Sequence, residues 1–457
     1  MKEKPNIILI TIDALRADHL GFMGYSKNVS QNLDNLAKDS SVFKEAFSVG
    51  PNTPHSFPAI LTSTYPLDFK GVRKIERPRK LISEVLKEKG YVTAAFHDNP
   101  YLSSSFGYNR GWEYFEYSAS PVGSALFPRK SFLSKIRSFL ISAFKKNFNK
   151  ISLKLFPQIF FKVMYLKYKL KVSKEEFEVP AEDINNKIFD FISAQKENSF
   201  FLWAHYMDVH SPYFPSGKYE SKILSYSDFV AAWLAGYLEF SKNRIFRKFI
   251  QPYFKKAIEF YDNGISYFDS EFGKLLDFLK REDIYDDTII IITADHGEEF
   301  LDHGEGFHKP KLYNELLHVP LIIRIPGKRG EIYNKVSLID IPSTVCSLLG
   351  FKEDSFKGQN LFERQGLVFH QTAFGSKDKM NRWIEIDGIL ETKLACQSKE
   401  WKYIVDYRTN KEELYNLLKD PKEKNNLVLE RKDILSRLRE EIKKFKENNI
   451  PLCEKYQ

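Results

Sequence analysis

Asp287-Thr288-Ile289-Ile290-Ile291-Ile292-Thr293-Ala294-Asp295-His296-Gly297-Glu298 is the stretch that decides the fold class. Four consecutive isoleucines between threonines leave no polar face, so the segment predicts a strand covered on both sides, as in a parallel sheet. Open α/β sheets bind ligands beyond the carboxyl ends of their strands. Asp295 and His296 fall at that end and offer an oxygen and a nitrogen side by side, which makes them metal-ligand candidates. Taken alone, the segment also fits a solvated loop with a helix-capping aspartate.

A second apolar strand, Asn6-Ile7-Ile8-Leu9-Ile10-Thr11, likewise runs into a carboxylate, Asp13. Further strands are predicted over 91–96, ending in His97-Asp98-Asn99, over 200–205, leading to Asp208 and His210, and over 319–325. Helical spacing marks 31–38, 81–89 (closed by Gly90) and 257–279. This alternation predicts an α/β fold: a doubly wound, mostly parallel sheet flanked by helices, over residues 1–364. Beyond 365 the texture changes. Short strands over 383–389, 392–397 and 401–407 and a closing helix over 431–447 predict a small C-terminal α+β subdomain, 365–457.

The chain has 457 residues, 43% of them hydrophobic and 15% aromatic, ample for a core. Its three cysteines, Cys346, Cys396 and Cys453, are scattered and form neither a disulfide framework nor a CxxC pair, which fits a reducing compartment. Cys346 lies in a leucine-rich helical segment and reads as core. The N-terminal apolar run is too short for a signal peptide, and the uncharged run 46–67 carries four prolines, so neither is a membrane span. The expected location is cytoplasmic.

The net charge of +9 is local, because residues 125–174 hold 13 Lys and Arg and no Asp or Glu. That excludes a nucleic-acid-binding surface spread over the fold. Within this insert Phe132, Leu133, Ile136, Phe139, Leu140, Phe144 and Phe148 share one helical face, with Lys135, Arg137, Lys145 and Lys146 mainly on the other. Such a helix can lie in an anionic membrane interface, giving peripheral contact. The more ordinary reading is a lid helix packed on the body.

Thr53-Pro54 in Gly50-Pro51-Asn52-Thr53-Pro54-His55-Ser56 reads as the N-cap and first residue of a short helix. The functional alternative is a hydroxyl nucleophile placed where helix N–H groups favour an anion. A divalent metal at Asp13, Asp295 and His296 would lower the pKa of that hydroxyl. On this segment alone, the capping reading stands.

Taken together, these motifs resemble the sulfatases and phosphate-ester hydrolases of the alkaline phosphatase superfamily. The resemblance runs in order along nearly the whole chain. It begins with Pro5–Asp13 and Leu15-Arg16-Ala17-Asp18-His19, and continues through Thr53–Ser63 and His205-Tyr206-Met207-Asp208-Val209-His210-Ser211-Pro212-Tyr213. It then takes in Thr293–Glu298 with His318-Val319-Pro320-Leu321, and Glu413-Leu414-Tyr415-Asn416-Leu417 with Asp420-Pro421. The resemblance implies one divalent metal, Ca, Mg or Mn, held by Asp13, Asp295, His296 and Thr53, with Thr53 as nucleophile. It gives His210, with His308 as a second candidate, the task of contacting the ester oxygens or protonating the leaving group. Asn99 and His205 are its candidate substrate contacts, His205 fitting a packing role equally well. His303 reads as a loop residue.

Two departures qualify this. Sulfatases of the family carry Cys or Ser in a Cys-x-Pro-x-Arg frame and convert it to formylglycine. Here Thr53, His55 and Phe57 occupy the Cys, Pro and Arg positions, and threonine cannot be converted. Relatives with threonine at this place are mostly phosphoryl-transfer enzymes. Ala14 stands where many sulfatases have another metal-binding aspartate. The leading expectation is a metal-dependent hydrolase acting on small-molecule, glycan or lipid sulfate or phosphate esters. The alternatives are a membrane-associated transferase of phosphoryl headgroups and a catalytically silent ligand-binding homologue.

Overall fold

The computed structural model describes residues 4–69, 74–118, 179–195, 197–211, 213, 244–373 and 392–449. The basic insert 125–174 and the strand predicted over 383–389 lie outside these residues.

Eight strands form the main sheet. They are β1 (Asn6–Ile12), β2 (Ser41–Phe43), β3 (Val92–His97), β4 (Tyr114–Tyr117), β5 (Phe200–Tyr206), β6 (Thr288–Ala294), β7 (Leu321–Arg324) and β8 (Gly330–Ile332), in the order β8-β2-β7-β6-β1-β5-β3-β4. β1 sits between β6 and β5 and runs parallel to both, with Ile8 opposite Ile290 on one side and Leu202 on the other. Every residue of these three strands is buried, which is why each reads as an unbroken apolar run.

β7 runs against both of its neighbours, β6 and β2. A parallel return needs a crossover, usually a helix. The segment between β6 and β7 holds a small hairpin, Glu299–Phe300 with Gly306–Phe307, and no helix longer than one turn, so the chain turns back instead. The sheet is therefore mixed, with one reversed strand among parallel ones.

The helices are α1 (Gln31–Lys38), α2 (Thr53–Thr62), α3 (Ile82–Glu88), α4 (Ala181–Ala194), α5 (Arg244–Arg281), α6 (Asn314–Leu317), α7 (Ile341–Leu348) and, at the end of the chain, α8 (Lys432–Asn449). The sequence pattern misses α4, although Ile184, Ile188, Phe191 and Ile192 have helical spacing and are buried. It finds only the second half of the 38-residue α5. No helix among the described residues is long and apolar enough to cross a membrane.

The C-terminal part is an antiparallel meander, β9 (Val368–Ala373), β10 (Thr392–Gln397), β11 (Trp401–Asp406) and β12 (Lys411–Asn416). α8 covers one face with Leu435, Leu438, Ile442 and Phe445. β9 docks on the segment just before α2: Gln371 N donates to Val49 O at 2.8 Å, and the His370 Nδ1–Ser48 O distance is 2.8 Å. Neither β9 nor β12 is apparent from the sequence, because polar residues such as His370, Gln371 and Glu413 interrupt them and find burial only against the body.

Candidate active site

The register between β1 and β6 pairs Ile12 with Ala294, so the residues that follow, Asp13 and Asp295, leave the sheet edge side by side. His296 comes next. The first helix after β1 and β2 that reaches this edge is α2. Its N-cap is Asn52 and not Thr53: the Asn52 carboxamide oxygen accepts from His55 N at 3.3 Å, and Thr53 is the first helical residue. This corrects the sequence reading. Because the cap lies one residue earlier, the Thr53 hydroxyl is not consumed by capping. It donates to Asp13 Oδ2 at 3.3 Å and lies 3.5 Å from His296 Nε2.

Asp13, Asp295 and His296 are fully buried and Thr53 is 5% exposed. One ligand atom from each of the first three lies within 4.8 Å of the others. His296 Nδ1 sits 2.8 Å from its neighbour's carbonyl, Gly297 O, an acceptor, so Nδ1 carries the proton. Nε2 therefore presents a lone pair toward Asp13 Oδ1 at 3.4 Å and Asp295 Oδ2 at 3.5 Å. Those two carboxylate oxygens have no hydrogen-bond partner. Buried acceptor atoms crowded this closely repel one another unless a proton or a cation sits between them, and two carboxylates with one imidazole nitrogen make a donor set that fits a divalent metal.

The electrostatics agree. Burial, reinforced by the negative charge of Asp13, pushes the Asp295 carboxyl up to about 8. Burial, reinforced by His308, pulls His296 down to about 3, the neutral form a ligand needs. Burial would also raise Asp13, but the charge of His210 and the hydrogen bond from His205 outweigh it and hold Asp13 well below the usual carboxylate range.

His205 and Asn99 stand behind this cluster. Trp203 Nε1 donates to Thr11 Oγ1 at 3.0 Å, Thr11 Oγ1 lies 2.9 Å from His205 Nδ1, and His205 Nε2 lies 3.2 Å from Asp13 Oδ2. A proton on Nε2 satisfies the whole chain and aims an N–H at the carboxylate. Asn99 Nδ2 donates to the same oxygen at 2.9 Å, while Asn99 Oδ1 accepts from Tyr101 N. Both side chains, expected as substrate contacts, thus direct one nitrogen at Asp13 and engage their other polar atom with Thr11 and Tyr101.

His308 and His210 are in the neighbourhood. The His308 ring centroid is 4.5 Å from that of His296, and His210 is 5.1 Å from His308. His308 Nδ1 lies 3.3 Å from the carboxylate of Glu298, itself fully buried. His303 turns elsewhere, stacking on Tyr313 with Nδ1 at 2.6 Å from Glu315. Cys346 is buried in the core.

Arg16 falls within the Leu15–His19 motif of the sequence analysis but has no role assigned there. Its guanidinium is buried and binds Asp18, Asp302 and the carbonyl of Glu298. Tyr261 supports the same turn, donating to Ala14 O and accepting from Arg16 N. Besides that motif, the signal in the sequence is an arginine inside an otherwise apolar Ala14-Leu15-Arg16-Ala17 run. Ala14 itself has φ +58° and donates its N–H to Asp295 Oδ1 at 3.2 Å.

The family model described as sulfatase matches residues 5–351, and that of the N-sulphoglucosamine sulphohydrolase C-terminal region matches 302–448. Arylsulfatase K of Canis lupus familiaris is 28% identical over 193 residues, covering 40% of this chain and 35% of that protein. The chain thus spans about a third of the length of that relative. The ulvan-active sulfatase of Formosa agariphila is 24% identical over 390 residues, 79% of this chain and 65% of that protein. The crystal structure of the phosphonate monoester hydrolase of Agrobacterium radiobacter superposes with a TM-score of 0.68 at 19% identity, covering 96% of this chain and 95% of that one, a likeness of fold. With a family model matched over residues 5–351, most of its length, this chain belongs to the sulfatase family.

Proposed function

We propose that this chain is a metal-dependent hydrolase of sulfate or phosphate esters, phosphonate monoesters included, with Thr53 as its nucleophile. The observation that carries the reading is the Thr53 hydroxyl, released from capping by Asn52 and directed at Asp13 and His296. Asp13, Thr53, Asp295 and His296 would hold the cation, Ca, Mg or Mn. Such an ion lowers the pKa of a coordinated hydroxyl and offsets charge on the transferring group.

The chain's own residues do the rest. Asp13 accepts the hydrogen bond from Thr53 and so orients Oγ1, while His205 and Asn99 fix the carboxylate. Thr53 stands at the N-terminal end of α2, whose helix dipole favours the negative charge that forms there. Oγ1 gives up its proton to solvent and attacks sulfur or phosphorus, and the ester oxygen leaves with a proton from His308 or His210. Water then attacks the threonine ester, its proton passing to that histidine, and Thr53 Oγ1 leaves and takes a proton back from solvent. Threonine rules out the formylglycine route, which favours phosphate and phosphonate over sulfate esters.

The test is a panel of nitrophenyl sulfate, nitrophenyl phosphate, bis-nitrophenyl phosphate and nitrophenyl phenylphosphonate, with and without Mn²⁺, on wild type and Thr53→Ala. Metal-stimulated phosphate or phosphonate turnover that disappears in Thr53→Ala supports the reading. Turnover of sulfate alone overturns the preference for phosphorus. Metal binding with no turnover of any ester leaves the protein as a ligand-capturing homologue.

A further inference from the structure

Beside the bonds of Gln371 N and His370 to residues 48 and 49, β9 makes a third contact with the turn that carries Thr53. Ala373 N donates to His55 Nε2 at 3.1 Å. A main-chain N–H can only donate, so Nε2 holds the lone pair and the proton of this buried imidazole sits on Nδ1. Nδ1 lies 2.6 Å from Asn52 Oδ1 and therefore donates to it. The same oxygen accepts from His55 N at 3.3 Å, the longer bond of the two. The cap of α2 is thus held mainly by an imidazole, and the imidazole is held by the C-terminal sheet. Gly50 packs against its base, where a Cβ would come within 2.3 Å of the His55 Cβ.

The local sequence favours a different start for this helix. Threonine is a good N-cap and proline is over-represented at the first helical position, so Thr53-Pro54 by itself puts the cap at Thr53. In that register the Thr53 hydroxyl would accept from the N–H of His55 or Ser56 and be spent on the helix. The observed register starts one residue earlier, with Thr53 and Pro54 as the first and second helical residues. It leaves the hydroxyl 3.3 Å from Asp13 Oδ2. The bond from His55 Nδ1 forms only when the Asn52 carboxamide turns back onto the helix, so it stabilises the observed register and not the other.

We propose that His55 is a positioning residue: braced by the end of β9, it holds the cap of α2 at Asn52 and so keeps the Thr53 hydroxyl free to act. Its effect on rate rests on the reading of Thr53 as nucleophile, whereas the choice of cap is a structural property that is measured without turnover. The C-terminal sheet then acts on the nucleophile through one hydrogen bond.

Long-range nitrogen–proton NMR spectra of the histidine rings in the wild-type protein, assigned by the signal lost in His55→Gln, should show His55 neutral with its proton on Nδ1. His55→Ala should lower kcat about a hundredfold with KM within about threefold, the split expected when the nucleophile and not substrate binding is disturbed. Leu394→Ala, a core truncation in the C-terminal sheet, should lower the melting temperature and leave kcat unchanged. Thr53→Ala should cost the wild type little and the His55→Ala background about 2 °C more in melting temperature, since the threonine caps only once His55 is gone. A proton on Nε2 of His55 overturns the proposal, and so does an equal cost of Thr53→Ala in both backgrounds. A kcat kept in His55→Ala but lost in Thr53→Ala overturns it too. If His55→Ala does not fold, the wild-type spectra decide. Turnover that survives in Thr53→Ala, with spectra and melts as expected, overturns the nucleophile and leaves the assignment of the cap standing.

Discussion

Arg16 Nη1 and Asp302 Oδ2 meet at 2.8 Å and join the loop after β1 to the loop after β6. These are the loops that carry Asp13 on one side and Asp295 and His296 on the other, so the pair braces the two halves of the candidate metal cluster against each other. Arg16→Met leaves Asp302 without its cation and frees the Glu298 carbonyl. The expected cost is about 2–3 kcal/mol, at the low end for buried pairs because Asp302 is one-third exposed. Mn²⁺ affinity, measured by electron paramagnetic resonance, should fall together with it. Asp302→Asn should give a similar loss, and the double variant less than the sum. A core truncation far away, such as Leu394→Ala, should lower the melting temperature and leave Mn²⁺ affinity alone.

Thr53→Ala should reduce turnover on the order of 10⁴-fold or more with little change in stability, since Asn52 rather than Thr53 caps α2. Thr53→Ser keeps the hydroxyl and should retain a measurable part of the rate. Steady-state kinetics beside thermal melts separate these effects. Equal collapse of rate in both variants would argue against a hydroxyl role.

Ala14 is buried at φ +58°, a backbone region that aspartate and asparagine tolerate better than most residues. Ala14→Asp adds a carboxylate beside Asp295. In metal-free protein this should lower the melting temperature by bringing like charges together in a dry site. Millimolar Mg²⁺ or Ca²⁺ should restore it and bind more tightly than to wild type. A fall in melting temperature that divalent ions cannot reverse would mean no cation is held there.

Burial pushes Asp208 up to about 7 and Asp98 up to about 6. Each folded-state value lies above that of the unfolded chain, near 4. The folded protein therefore keeps protons that the unfolded chain releases. The stability this brings is complete below about pH 4 and is lost as pH rises through about 6 and 7. Asp208→Asn keeps an oxygen to accept from Ala181 N and removes the titration. Denaturant unfolding across pH should show the variant flatter than wild type over that window and more stable by about 1–2 kcal/mol at alkaline pH. A wild-type profile level between pH 4 and 7 would contradict the assignment.

The sequence by itself determined the central strands and the carboxylates that follow them. Runs such as Ile289 to Ile292 have no polar side, so they can only sit covered on both faces, and their ends mark where ligands gather. Helices with a regular apolar period, α1 and α8 among them, were legible for the same local reason. Tertiary structure decided what depends on partners distant in the chain. It set His205 and Asn99 behind Asp13, laid β7 antiparallel against the distant β2, and turned the polar strands β9 and β12 inward against the body. The reason is physical. Periodicity records which face of a segment avoids water, whereas a hydrogen-bond partner or a strand direction is fixed only when segments hundreds of residues apart come into register.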